Sequence, residues 1–213
     1  MHVVNVAMSG QSFIYRHLLI YRFMMNLLYG GGYKERFNKV IEQIPDLPSN
    51  SQILELCFGD TFIADYCKEK GYQWKGIDLN EHFVKTAQKL GYDATCEDIA
   101  ICKDLPKAKV CIMIGSLYHF HPNTFPMLRK MVEAADTIII SEPVSNLSDN
   151  KGIIGFFAKR AANVGKGDET FRYDSTSFLS MIHENGSLLD FKILSWSRYK
   201  KDLIITLIKN GSN

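Results

Sequence analysis

No Cys-x-x-Cys pair occurs among the five cysteines, Cys57, Cys67, Cys96, Cys102 and Cys111, which removes the usual signature of a zinc or thiol-disulfide site. Several of them lie in apolar runs, where a thiol behaves as a small core residue, so a reducing cytoplasm is the expected compartment. Charge of one sign is also lacking. With 25 Lys and Arg against 23 Asp and Glu the net charge is +2, and no basic block supplies the electrostatic footprint of a nucleic-acid surface. Long apolar runs are missing as well. The longest uncharged stretch, 110–128, is broken by Gly115, Pro122 and Pro126, and the apolar segment near the start carries Arg16, His17 and Arg22, so no membrane span is expected. Residues 1–10 lack the basic start and apolar centre of a secretory leader. No Pro/Gly/Ser-rich linker divides the 213 residues, and a 46% hydrophobic composition can fill one core, so a single domain over 1–213 is expected.

What is present is a pair of apolar runs, each ending in an acid. Ile53-Leu54-Glu55-Leu56-Cys57-Phe58-Gly59-Asp60-Thr61 leads into a helical segment, and Gly76-Ile77-Asp78 follows. In an α/β sheet this order builds a pocket for an adenosine-bearing cofactor. Asp78 follows Gly59 by close to the ~20 residues at which a second-strand carboxylate reaches a ribose held over the first loop. Its two oxygens match two vicinal hydroxyls. Gly59 lets the loop backbone approach a ligand, and the N–H groups opening the next helix face it. A dinucleotide pyrophosphate usually demands Gly-x-Gly-x-x-Gly, of which only one glycine is here. Glu55 would repel a pyrophosphate and suits a cationic ligand.

These residues resemble the class I S-adenosylmethionine-dependent methyltransferases of the small-molecule, bacterial-like type. The likeness rests on Leu54 to Asp60, Gly76-Ile77-Asp78, Cys96-Glu97-Asp98-Ile99 and Ile112 to Phe120, in the family's order, and runs from about residue 35 to the C-terminus. Cys57 and Thr61 stand where the family has the outer two glycines of its first motif. The resemblance implies S-adenosylmethionine as cofactor, with Glu55, Cys57 and Gly59 at the methionine end and loop. It also implies Asp78 and the adjoining Leu79 at the ribose, Asp98 and Ile99 at the adenine, and Gly115 and Ser116 at the end of the fourth strand.

The rest of the chain alternates strand-like and helical runs. Helices are expected over 14–29 and 34–44, then strand 52–57, helix 61–70, strand 73–78, helix 81–89 and strands 92–95 and 109–114. Helix 123–134, strand 136–141 and helix 175–185, ended by Gly186, precede two runs, 188–197 and 203–209, joined by a short polar turn. The last pair reads as a hairpin. The expected fold is therefore a doubly wound, seven-stranded, mostly parallel sheet closed by a C-terminal antiparallel hairpin, the Rossmann-like methyltransferase fold, with N-terminal helices over 1–45. Residues 145–172 exceed what the sheet needs and are read as an insertion over an acceptor pocket.

By the same resemblance, Tyr118, His119 and His121 fall where the family places catalytic or substrate-orienting groups. Methyl transfer is an in-line displacement, in which a base matters only for a hydroxyl or protonated amine, so His119 is the candidate base with Tyr118 beside it. A ring packed under the sheet edge is the equal alternative for His119. His119 and His121 alone do not make a metal site. Glu142 either points into the acceptor pocket or caps a turn. Arg172 is a candidate for an anionic acceptor, with the solvated face of a helix as its rival. Tyr29 and Tyr33 are candidate pocket aromatics, and packing on the sheet or on a second subunit is the alternative, which leaves a homodimer through the N-terminal helices open. The expected function is methyl transfer to an O, N or C centre of a small or carrier-borne metabolite. Two rivals are a module that binds S-adenosylmethionine or S-adenosylhomocysteine without turnover, and an NAD-dependent oxidoreductase.

Overall fold

The computed structural model describes residues 18–144 and 171–211. Most of the expected 145–172 insertion and the first 17 residues of the N-terminal segment lie outside the described residues. Two helices lead in, α1 (Leu18–Leu28) and α2 (Tyr33–Ile41). Alternating strands and helices follow: β1 (Gln52–Leu56), α3 (Phe62–Lys70), β2 (Gln73–Asp78), α4 (Glu81–Lys89), β3 (Asp93–Cys96), β4 (Ala108–Ile114), a 3-10 turn at Leu117–Phe120, α5 (Phe125–Ala134) and β5 (Ala135–Pro143). Helix α6 (Ser175–Leu189) precedes the hairpin of β6 (Phe191–Tyr199) and β7 (Asp202–Lys209).

The seven strands form one sheet in the order β3-β2-β1-β4-β5-β7-β6. The first five are mutually parallel, and β7 runs antiparallel to both β5 and β6. The central strands are apolar because both faces are covered, whereas the edge strand β6 alternates exposed residues with buried or half-buried ones. Leu54, Leu56, Cys111 and Met113 point to a core closed by α5 and α6, while Ile53, Val110 and Ile112 point to a second core closed by α2, α3 and α4. Sequence order 1-2-3 to one side of β1 and 4-5 to the other puts the reversal of winding between β1 and β4. Ligands of open parallel sheets sit outside the carboxyl ends at such a point.

One element differs from its sequence reading in an instructive way. Gly186 does not end α6, which continues to Leu189 and stops at Asp190 in the left-handed region. A side chain at Gly186 would put its Cβ 3.0 Å from the Phe191 carbonyl oxygen, so this glycine serves close packing of the helix on its own following strand. The β5 ladder also outlasts the expected strand, because Glu142 and Pro143 still pair with Leu203 and Asp202. Among the described residues no helix is long and apolar enough to cross a membrane.

Candidate active site

The carboxyl ends of β1, β2, β4 and β5 gather most of the residues singled out in the sequence. At the exit of β1 the chain turns through two left-handed residues, Cys57 (φ 53°) and Gly59 (φ 58°). Behind Gly59, Asp78 closes the loop: its Oδ2 accepts from the Gly59 N–H at 3.0 Å and its Oδ1 from the Asn80 N–H at 2.7 Å. Each oxygen keeps acceptor capacity for a ligand hydroxyl. Burial pushes the Asp78 carboxyl up to about 6, partly offset by those backbone donors. Leu79, next along, is half-buried and its carbonyl accepts from the Cys96 thiol.

Helix α1 lies over this loop. Arg22 grips Asp60 with two nitrogens at 2.9 and 2.5 Å, and the Tyr21 hydroxyl stands 3.2 Å from where a Cβ on Gly59 would be. Glycine at 59 is favoured by its φ, and a Cβ there would also crowd the Tyr21 hydroxyl. Cys57 has no such exemption, since a side chain in the left-handed region costs about 1–2 kcal/mol. Cys57→Gly is therefore expected to raise stability by about 1 kcal/mol, seen as a rise of about 2–4 °C in the thermal midpoint. A fall in midpoint would mean that the thiol's packing outweighs the strain.

Glu55 is placed differently from a ligand-facing acid on an open edge. Strand alternation turns it to the same face as Ile53, where it is fully buried beneath the loop. The Trp74 indole N–H donates to its Oε2 at 2.8 Å, and Oε1 has no partner among the described residues. Trp74 reaches it by lying across Gly76, where any Cβ would overlap the indole. Burial holds the Glu55 carboxyl well above its ordinary range.

Beyond β3, Asp98 accepts from the Ala100 N–H at 3.1 Å, the turn-capping alternative, while its half-buried position leaves it on the rim. Ile99 is a core residue whose carbonyl accepts from Lys130 at 2.9 Å. At the end of β4, Gly115 has φ 64°, and the Ser116 hydroxyl bonds back to the Ile114 carbonyl. The turn that follows hangs on Glu142, whose Oε2 accepts from the Leu117 N–H at 3.0 Å. Glu142 is fully buried, its Oε1 has no partner among the described residues, and burial pushes its carboxyl up to about 8.

Tyr118 and His119 sit ring against ring at 3.9 Å, and the Arg172 guanidinium lies 3.6 Å from the centre of the Tyr118 ring. Burial, aided by the charge of Arg172, drops His119 to about 4, so its imidazole is neutral at ordinary pH. His121 stacks flat on Phe171 at 3.4 Å. Tyr29 and Tyr33 are both buried against neighbouring side chains. Tyr33 sits in an aromatic cluster with Tyr21, Phe37 and Phe62, and the Tyr29 hydroxyl donates to Asp202 at 3.0 Å. Among the described residues no three His, Cys, Asp or Glu side chains gather to hold a metal ion.

Two residues at this edge escaped the sequence reading. Arg36 and Asp202 form a buried ion pair, with Ser141 donating to the same carboxylate at 3.0 Å. Arg36 was detectable: it lies on the stripe Tyr33, Arg36, Phe37, Val40, the buried face of α2, where a cation needs a partner. Asp202 carried no such mark, since it reads as part of a polar turn.

No family model and no curated protein sequence matches the chain. Solved structures do. Magnesium protoporphyrin IX methyltransferase (ChlM) from Synechocystis PCC 6803 with bound SAH is similar at a TM-score of 0.64 and 15% identity, over 89% of this chain and 93% of that one. A TehB-like SAM-dependent methyltransferase from Corynebacterium glutamicum is similar at 0.59 and 15%, over 91% and 98%. An S-adenosylmethionine-dependent methyltransferase from Mesorhizobium loti is similar at 0.60 and 12%, over 82% and 97%. Strand order, final hairpin and these likenesses agree: the chain has the Rossmann-like fold of the class I S-adenosylmethionine-dependent methyltransferases.

Proposed function

We propose that this protein transfers a methyl group from S-adenosylmethionine to an O, N or C centre of a small or carrier-borne metabolite, in a reducing cytoplasm. The observation that carries the reading is the Asp78 carboxylate closing on the Gly59 N–H at a left-handed loop, at the winding reversal of a methyltransferase-type sheet. The residues fit such a cofactor: Glu55 Oε1 is an orphaned buried acceptor beneath the loop, and Gly59 adds no side chain beneath the Tyr21 hydroxyl that stands over it. Asp78 would accept the ribose hydroxyls, with Leu79 alongside. Asp98 and the Ile99 N–H would meet the adenine, and Cys57, Gly115 and Ser116 would border the methionyl end. When bound, the sulfonium supplies an activated methyl group. The chain's own part is alignment and exclusion of water, for which α1, clipped by Arg22 to Asp60, supplies a cover.

On the acceptor side stand Tyr118, His119, His121, Glu142 and Arg172. His119 is neutral and can take a proton from an acceptor hydroxyl or ammonium as a weak base, since burial and the Arg172 charge both oppose its imidazolium. His119→Ala is expected to lower turnover about 10²-fold or more on such an acceptor, with S-adenosylhomocysteine affinity unchanged. Equal turnover would remove it as the base. The rival reading, cofactor binding without turnover, is favoured by the side chains at Cys57 and Thr61 where the family has glycine.

Calorimetric titration with S-adenosylmethionine, S-adenosylhomocysteine and NAD tests the cofactor. Binding of the first two and not the third is expected, and silence from the first two would sink the reading. Transfer of labelled methyl groups into a metabolite extract then separates an enzyme from a binding module.

A further inference from the structure

We propose that Arg36 is the carboxylate-binding residue of this site, and that its ligand is the carboxylate at the methionyl end of the cofactor; this rests on the cofactor reading above. Arg36 is only 4% exposed. A guanidinium has five N–H donors in a rigid fork and cannot shed its proton, so each donor taken from water needs an acceptor. The Nε of Arg36 is spent on Asp202. Nη2 has no partner among the described residues, and a buried donor left in that state costs roughly 1–3 kcal/mol. Asp202 does not have its full charge to give: Tyr29 and Ser141 donate to the same carboxylate. The fork is anchored at one end and unsatisfied at the other.

The unsatisfied end faces the ligand edge of the sheet. A Cβ on Gly115 would lie 2.5 Å from Nη2, so the guanidinium occupies the space that glycine leaves at the exit of β4. Glu142 and Tyr21 both lie within electrostatic reach of Arg36. Sheet order then fixes which end of the cofactor arrives there. Asp98 follows β3, Asp78 ends β2, the Cys57–Thr61 loop follows β1 and Gly115 follows β4, and these four strands are neighbours in that order. A ligand with adenine at Asp98 and ribose at Asp78 extends its third part toward β1 and β4. Gly115 lies two strands from Asp78, roughly 10 Å at about 4.8 Å per strand. The amino-acid group of the cofactor carries that molecule's only carboxylate, and Arg36 is a buried cation with an unpaired donor at that end.

The test compares two ligands that differ only in that group. S-adenosylhomocysteine carries the amino-acid end, and 5′-methylthioadenosine keeps the adenosine and thioether without it. Calorimetric titration of the full chain is expected to show that Arg36→Lys, which keeps a cation for Asp202 but loses the fork, weakens S-adenosylhomocysteine at least tenfold. Affinity for 5′-methylthioadenosine should stay within a factor of two. Arg36→Gln should widen the gap, and if that variant does not fold the lysine variant alone decides. An arginine that merely ties α2 to the final hairpin would change the two affinities by one common factor or not at all, and either result overturns the proposal. Wild-type protein that binds neither compound fails the cofactor reading, and this inference with it.

Discussion

Asp78→Ala is expected to weaken S-adenosylhomocysteine binding by roughly 10²-fold or more, with little change in the thermal midpoint of the ligand-free protein. A hydrogen bond to a charged group contributes about 1.5–3 kcal/mol, and two to the ribose amount to about two decades or more. Stability responds differently because two effects offset. The alanine variant loses the acceptor that holds the Gly59 and Asn80 N–H groups. It also relieves the burial of a carboxylate. Folding raises the Asp78 pKa from 3.8 to about 6, which is a cost on the order of 3 kcal/mol for holding it ionised in the native state. The sign follows from that direction. The native state binds this proton more tightly than the unfolded chain does, so the favourable contribution of protonated Asp78 is complete below 3.8 and lost as pH rises through about 6. Ligand affinity runs the other way, since the ionised carboxylate is the stronger acceptor. Over pH 4 to 6, therefore, this group makes the ligand-free protein less stable and the ligand tighter as pH increases. Calorimetry at pH 5 and pH 7.5, with thermal denaturation at the same values, reads both slopes. Wild-type affinity in the alanine variant would overturn the ribose assignment.

That Asp78 and Gly59 could be paired from the sequence, while Arg36 and Asp202 could not, reflects how each contact is specified. Asp78 and Gly59 stand at the ends of β2 and β1, adjacent parallel strands whose register is fixed by the short α3 crossover. A spacing rule captures that geometry because one supersecondary unit contains both residues. Arg36 and Asp202 are 166 residues apart and meet only after the last hairpin pairs with β5. No local pattern encodes such a meeting, although an arginine on the apolar stripe of α2 announces that some partner exists. The Trp74 to Glu55 bond is intermediate. Both strands were legible, but which way Glu55 turns depends on strand alternation, and Trp74 can reach it only because Gly76 lies under the indole. Gly186 failed for the opposite reason. Glycine marks a helix end through its freedom at positive φ, whereas here its lack of a side chain is what the packing uses. The 3-10 turn at Leu117–Phe120 depends on Glu142 from the next strand, so its length and the burial of Glu142 could not be read from its own residues.

The largest loss of stability is expected from Asp202→Ala. Asp202 is fully buried at the start of β7, and it accepts from Arg36, Tyr29 and Ser141 together. Its removal leaves three buried donors without their acceptor, one of them on a cation that cannot neutralise: the partner carboxylate and neighbouring phenols hold the Arg36 pKa above its ordinary value even against burial. Breaking one side of a buried pair typically costs about 3–5 kcal/mol, which at about 2–4 °C per kcal/mol for a chain of this size lowers the thermal midpoint by about 6–20 °C. Replacing both partners tells a structural cost from a charge cost. Arg36→Met with Asp202→Leu leaves neither charge of this pair buried, so this double variant should regain much of the loss, as apolar substitutes for buried pairs often do. It should not regain S-adenosylhomocysteine affinity, because the fork is gone. A loss below about 1 kcal/mol in Asp202→Ala would mean that water reaches the guanidinium at once. The tie between α2 and the final hairpin would then be a surface contact, and the burial on which the carboxylate role of Arg36 depends would be absent in solution.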